Sequence, residues 1–123
     1  MKVTTKKNQQ VANMIFASIY PHYWNRLEKH GRTKEEFHQV IEWFTGFDEK
    51  KLQSLIEEKV TFRTFFEQAK IHSNANMIKG VVCGYRIEEI EDEFQLYKQC
   101  RQMEKLIDEL AKGRKMEKIL RSS

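Results

Sequence analysis

The segment KGVVCGYRIEEIED, residues 79–92, places a thiol between two glycines and follows it at once with carboxylates. Three chemistries use such parts. A catalytic cysteine needs a cation or helix N-terminus to hold its thiolate, and a histidine to take its proton. Cys83 has Lys79 and Arg86 near it in sequence, and His72 lies eleven positions earlier. Val81 and Val82 flank it, however, and five acids follow, Glu88, Glu89, Glu91, Asp92 and Glu93, whose field raises a thiol pKa. The expectation is a buried, inert Cys83. A phosphate loop would carry Lys and Ser or Thr after its last glycine; here Tyr85 follows Gly84. A calcium loop would space its acids with glycine in an irregular backbone. This acidic run reads instead as the solvated first turn of a helix, where the macrodipole favours negative charge.

The histidines at 22, 30, 38 and 72 offer metal ligands. Glu35 and His38 have the E-x-x-H spacing of carboxylate-bridged metal bundles, but those sites need a second such pair, and none exists. His38 with Glu42 is explained as an i, i+4 surface contact. No metal and no cofactor are assigned. Tyr20, His22, Tyr23 and Trp24 cluster about Pro21. Most of them are expected in the core, with Tyr23 and Trp24 as candidates for an interface.

Charge is placed unevenly along the 123 residues, whose net value is +4. Residues 1–47 carry seven Lys/Arg against four acids, 79–93 two against five, and 94–123 eight against four. The C-terminal excess gathers at Lys112, Arg114, Lys115, Lys118 and Arg121. No base-stacking aromatic lies among them, so nucleic-acid binding there would be weak and steeply salt-dependent. The hairpin EEFHQVIEWF-TGF-DEKKLQSLIEEK resembles a helix-turn-helix in outline, yet the exposed set on its second helix sums to zero charge.

The elements that hold these residues follow the helical period. Ile15, Phe16, Ile19 and Tyr20 form a short face ended or bent at Pro21, with a new helix from Pro21 closed by Gly31. Thr33 with Glu36 makes a capping box ahead of Phe37, Val40, Ile41 and Phe44. Asp48 caps a helix with Leu52, Leu55 and Ile56, and Thr61 one with Phe62, Phe65 and Phe66. Residues 71–85 break the period. A lone strand would have no partner there, so they read as a buried connector or short helix. The period then returns from Ile87 to Ala111, as one helix or two, before Gly113 and a short turn through Ile119. The fold class is all-α, a compact orthogonal bundle of five to seven helices. Residues 1–10 are a variable, frayed lead-in and 11–121 one domain.

Forty per cent apolar residues, one proline and two cysteines fit an ordinary core in a reducing, cytoplasmic setting. No run is long and apolar enough for a membrane span.

Taken together, FASIYPHY, HGRTKEEF, WFTGFDEKKL, FRTFFEQA, IKGVVCGYRIEEIED and LIDELAKGRKMEKILR resemble a small bacterial family catalogued as domain of unknown function 2200, from about Ile15 to Arg121. The resemblance implies a compact helical domain and hands over no catalytic residues. That family's pattern has a proline near KIHSNAN and another after IED, where this chain has Glu93. The second difference is expected to let a helix run from Arg86 through Phe94. The functional expectation is a non-catalytic binding or regulatory module for a protein or small ligand. Nucleic-acid association through the basic C-terminal end is the alternative, and an enzyme using Cys83 the third.

Overall fold

The computed structural model describes residues 2–121. Seven α-helices form among them: α1 (Thr5–Ala12), α2 (Phe16–Lys29), α3 (Lys34–Thr45), α4 (Glu49–Glu57), α5 (Phe62–Gln68), α6 (Gln95–Ala111) and α7 (Met116–Leu120). A two-stranded antiparallel hairpin, β1 (Val81–Val82) and β2 (Tyr85–Arg86), is the one sheet among the described residues.

Most helix starts are those the side chains dictate. Thr33 accepts from the Glu36 amide while Glu36 accepts from the Thr33 amide, satisfying two orphan donors at once. Asp48 and Thr61 accept from Lys51 N–H and Thr64 N–H in the same way. α3 ends at Gly46, whose φ of 76° is the left-handed region a side chain disfavours. A Cβ there would also meet the Lys70 carbonyl at 3.1 Å, because the chain leaving α5 runs back along the end of α3 through Lys70 N–H to Thr45 O.

Four expectations need correction. α2 does not stop at Pro21 but passes through it, starting at Phe16. Proline sits far enough into the helix to leave one carbonyl without its amide donor. The burial of Phe16, Tyr23 and Leu27 on one continuous face outweighs that loss. Second, residues 81–86 are strands, because each supplies the other's partner: Val81 pairs with Arg86 and Val82 with Tyr85. Cys83 and Gly84 make the two-residue turn, with φ of 52° and 82° as a type I′ turn requires. Third, Cys83 therefore stands at a turn tip and is exposed, while Cys100 is buried. Fourth, no helix runs from Arg86 through Phe94. Two 3₁₀ turns, Ile87–Glu89 and Asp92–Phe94, carry the acidic run, separated by extended backbone at Ile90 and Glu91. The five acids remain solvated, as their charge demands.

α6 is the axis of the fold and packs against α1, α2, α3, α5 and α7. Its face of Cys100, Met103, Leu106, Ile107 and Leu110 meets a core rich in phenylalanine: Phe16, Phe37, Phe44, Phe47, Phe62, Phe65 and Phe66. The expected lead-in at residues 1–10 carries most of α1, which is capped by Thr4 and buries little beyond Ala12. α1 is held differently. Asn8 Oδ1 accepts the Tyr97 N–H at 3.1 Å, so a side chain of α1 caps the first turn of α6, whose own N-cap residue, Phe94, offers no side-chain cap. Beneath that contact Tyr85, Ile90 and Tyr97 make a second, smaller core with Val3, Val11 and Phe94 against it.

Candidate functional site

Over this smaller core the hairpin, α1 and the first turns of α6 leave a cleft of about 310 Å³, lined by Lys7, Gln10, Val11, Cys83, Tyr85, Tyr97 and Arg101. Each polar side chain is placed by its element. Tyr97 and Arg101 lie one turn apart on α6 and so share a face. Tyr85 is set opposite them by the tight Cys83–Gly84 turn. Lys7 reaches down from α1.

Two hydrogen-bonded chains meet there. Lys7 Nζ donates to Tyr85 Oη at 2.5 Å, and the Tyr85 ring packs edge-on against the Tyr97 ring, centroids 5.3 Å apart. Arg101 Nη2 donates to Tyr97 Oη at 2.8 Å, and its Nη1 to Glu104 Oε2 at 2.5 Å. The guanidinium also lies 4.7 Å from the Tyr97 ring centroid. Cys83 Sγ completes the chain by donating to Glu104 Oε2 at 3.3 Å. Arg101 Nε is buried with no hydrogen-bond partner among the described residues. Such an orphan costs stability unless something fills it.

The electrostatics separate two chemically identical phenols. The hydrogen bond from Lys7 pulls Tyr85 below the usual phenol range, aided by the charges of Lys7 and Arg101. Burial pushes Tyr97 up to about 12, against the pull of Arg101. A spectrophotometric titration is therefore expected to show one tyrosinate, Tyr85, forming early and the other three late, because burial also raises Tyr20 and Tyr23. Lys7→Met should return the early transition to ordinary phenol values. Two superimposable wild-type and Lys7→Met titrations would show that this contact does not exist in solution.

Cys83 is not activated by its surroundings. Partial desolvation at the cleft edge first, and then the Glu104 charge, raise its thiol above the ordinary value. Its hydrogen-bond partner is a carboxylate, where a catalytic thiol would have an imidazole.

The residues singled out from sequence lie elsewhere. Tyr23 is in the main core, with its hydroxyl buried and unpartnered among the described residues. Trp24 is half-buried, stacked on Phe37 at 6.4 Å with Lys34 Nζ 5.5 Å above its ring. At the basic end, Lys112 pairs with Asp108 at 3.0 Å and Arg114 with Glu109 at 2.9 Å. Lys115 and Lys118 are exposed and make no ion pair among the described residues. His38 takes its carboxylate from Glu49 on α4, not from Glu42 on its own helix. Among the described residues no group of three or more His, Cys, Asp and Glu is placed to hold a metal ion, and no helix is long and apolar enough to cross a membrane.

Sequence reasoning passed over Lys7, Tyr85, Tyr97, Arg101 and Glu104. Tyr97 was absorbed into the apolar stripe of α6, and Lys7 lay in a segment set aside as frayed. The available signal was the i, i+4 spacing of Tyr97 and Arg101 with Glu104 three residues on, an unusual polar insertion in a core-facing stripe.

No curated protein matches the chain. It is similar to a solved structure, the uncharacterized protein SP1917, with 36% identity, 92% of each chain covered and a TM-score of 0.83. Over residues 10–121 it matches the family described as uncharacterized protein conserved in bacteria (DUF2200). That match takes in α2 to α7, the hairpin and Tyr85, Tyr97 and Arg101 of the cleft, and the chain belongs to this family.

Proposed function

We propose that this protein is a binding module for a small anion bearing a phosphate or carboxylate group, held in the cleft between α1, the hairpin and α6. One observation carries the reading: two cations on separate elements, Lys7 and Arg101, each hydrogen-bond one of two packed phenols, Tyr85 and Tyr97, at one concave surface. Glu104 offsets one of the two charges, which leaves one positive charge in excess beside the opening. A volume of about 310 Å³ sits at the small end of ligand sites, which run from roughly 300 to 1,000 Å³. An anion there would take donors from Lys7, the Gln10 amide and the Arg101 guanidinium.

Calorimetric titration with inorganic phosphate, pyrophosphate and succinate tests this. Saturable binding that weakens with added salt is expected. Lys7→Met should lower affinity roughly 10- to 100-fold, the worth of one charge-assisted hydrogen bond. No heat with any of the three, or equal affinity in Lys7→Met, overturns the reading.

The nucleic-acid alternative draws on Lys118, Arg114 and Arg121 around a shallow depression of about 460 Å³, with exposed Lys115 beside Arg114 in the chain. Retardation of nucleic acid at low salt, lost in a Lys115/Lys118 double alanine variant, would favour it.

A further inference from the structure

On α2, α3 and α4, three side chains, none of them lining the cleft, form another hydrogen-bonded line. Glu49, at the start of α4, accepts from His38 Nδ1 at 2.9 and 3.0 Å through its two carboxylate oxygens. A carboxylate can only accept, so Nδ1 carries a proton, and in the neutral ring Nε2 presents its lone pair. That lone pair faces Tyr20 Oη of α2 at 2.5 Å. A hydroxyl, a base within hydrogen-bond reach, and a third group that fixes the base's tautomer are the three parts of an activated nucleophile.

The environment narrows what such a nucleophile would meet. Tyr20 is half-buried, the imidazole is largely covered, and the Glu49 carboxylate is open to solvent. Beside the phenol, the fully buried Phe37 stacks on Tyr20 at 5.0 Å, and half-buried Trp24 is parallel to Phe37 at 6.4 Å with Lys34 Nζ over its ring. Glu42 and Asp48 add negative charge near Glu49. These carboxylates disfavour an anionic substrate at the phenol and make an uncharged acyl group the better match. Burial and the Glu49 charge keep the Tyr20 phenol protonated, so it needs a base to react.

We propose that Tyr20, His38 and Glu49 form a nucleophile relay through which Tyr20 accepts an acyl group from uncharged, activated carboxylic esters. Tyr20 Oη attacks the ester carbonyl carbon as its proton passes to His38 Nε2. The tetrahedral adduct collapses, the bond to the leaving activated phenoxide breaks, and His38 returns the proton to that oxygen. Acyl-Tyr20 and the free phenol result, with no change of oxidation state. Glu49 acts through His38 and holds the imidazolium that forms between the two transfers.

The test is p-nitrophenyl acetate at neutral pH, with nitrophenol release followed by absorbance and the acetyl group located by peptide mass spectrometry. A burst of one nitrophenol per chain with acetyl on Tyr20 is expected. His38→Gln should slow it at least ~100-fold, as loss of a general base does. Glu49→Gln, a change at an exposed side chain that leaves the fold intact, should slow it more than about tenfold through the lost tautomer control. Acetyl found on lysines or Cys83 with Tyr20 unmodified overturns the proposal. So does labelling of Tyr20 at the wild-type rate in Glu49→Gln. Neither outcome touches the cleft, which lies on other residues.

Discussion

Phe65→Ala is expected to lower the free energy of unfolding by about 3–5 kcal/mol, read from the urea midpoint at unchanged slope. Phe65 is fully buried at the meeting of several rings. It stacks on Phe16 at 4.1 Å and 18°, and it meets Phe47 and Phe66 edge-on, each at 5.1 Å. Truncation removes the transfer energy of the ring and also leaves a cavity that stacked, rotamer-locked neighbours cannot close. A domain of this size is stable by roughly 5–15 kcal/mol, so a large share of the total depends on this one side chain. A loss below about 1 kcal/mol would mean that the core rearranges freely, against the packing described here.

Glu109→Ala carries the second large effect, about 3–5 kcal/mol, for an electrostatic reason. Glu109 is a buried acid on α6. Its Oε2 accepts from Arg121 at 2.7 Å and Arg114 at 2.9 Å, tying the chain beyond α7 to α6. The Arg121 side chain is only 11% exposed, so removing the carboxylate strands a largely buried guanidinium. The cost comes from the abandoned partner more than from the bond itself, which makes it separable. The double variant Glu109→Ala/Arg121→Ala should lose less than the sum of the single losses, because no buried charge is left unpaired; Arg114 also loses its partner but is exposed enough to be hydrated. Additive losses would show the pair to be uncoupled.

How much of this was readable from residue types divides along a physical line. Local signals were legible. The Thr33–Glu36 box, Asp48, Thr61 and Gly46 mark helix ends through contacts within four residues, and the stripes of α3 and α6 declare their buried faces. Pro21 misled because a local rule was overridden by burial of Phe16, Tyr23 and Leu27 along one helix. The hairpin was hidden because its strands are two residues each, too short for any alternation to show. Its turn put Cys83 at the surface although apolar neighbours argued for burial.

The cleft was the least legible feature. Lys7 and Tyr85 are 78 positions apart, and Asn8 and Tyr97 are 89. Nothing in the spacing of either pair records that α1 docks on α6. The Tyr20–His38–Glu49 line has the same character: each residue is ordinary in its own helix, and the geometry exists only once α2, α3 and α4 meet.

A nuclear magnetic resonance titration of isotope-labelled protein with inorganic phosphate at low salt puts the anion cleft to its sharpest test. The Arg101 side-chain Nε–H resonance, with the backbone amides of Lys7, Cys83 and Gly84, should shift together and saturate on one binding curve. Lys7→Met should displace that curve to higher phosphate concentration. Shifts confined to residues 112–118, with α1 and the hairpin unmoved, would contradict it.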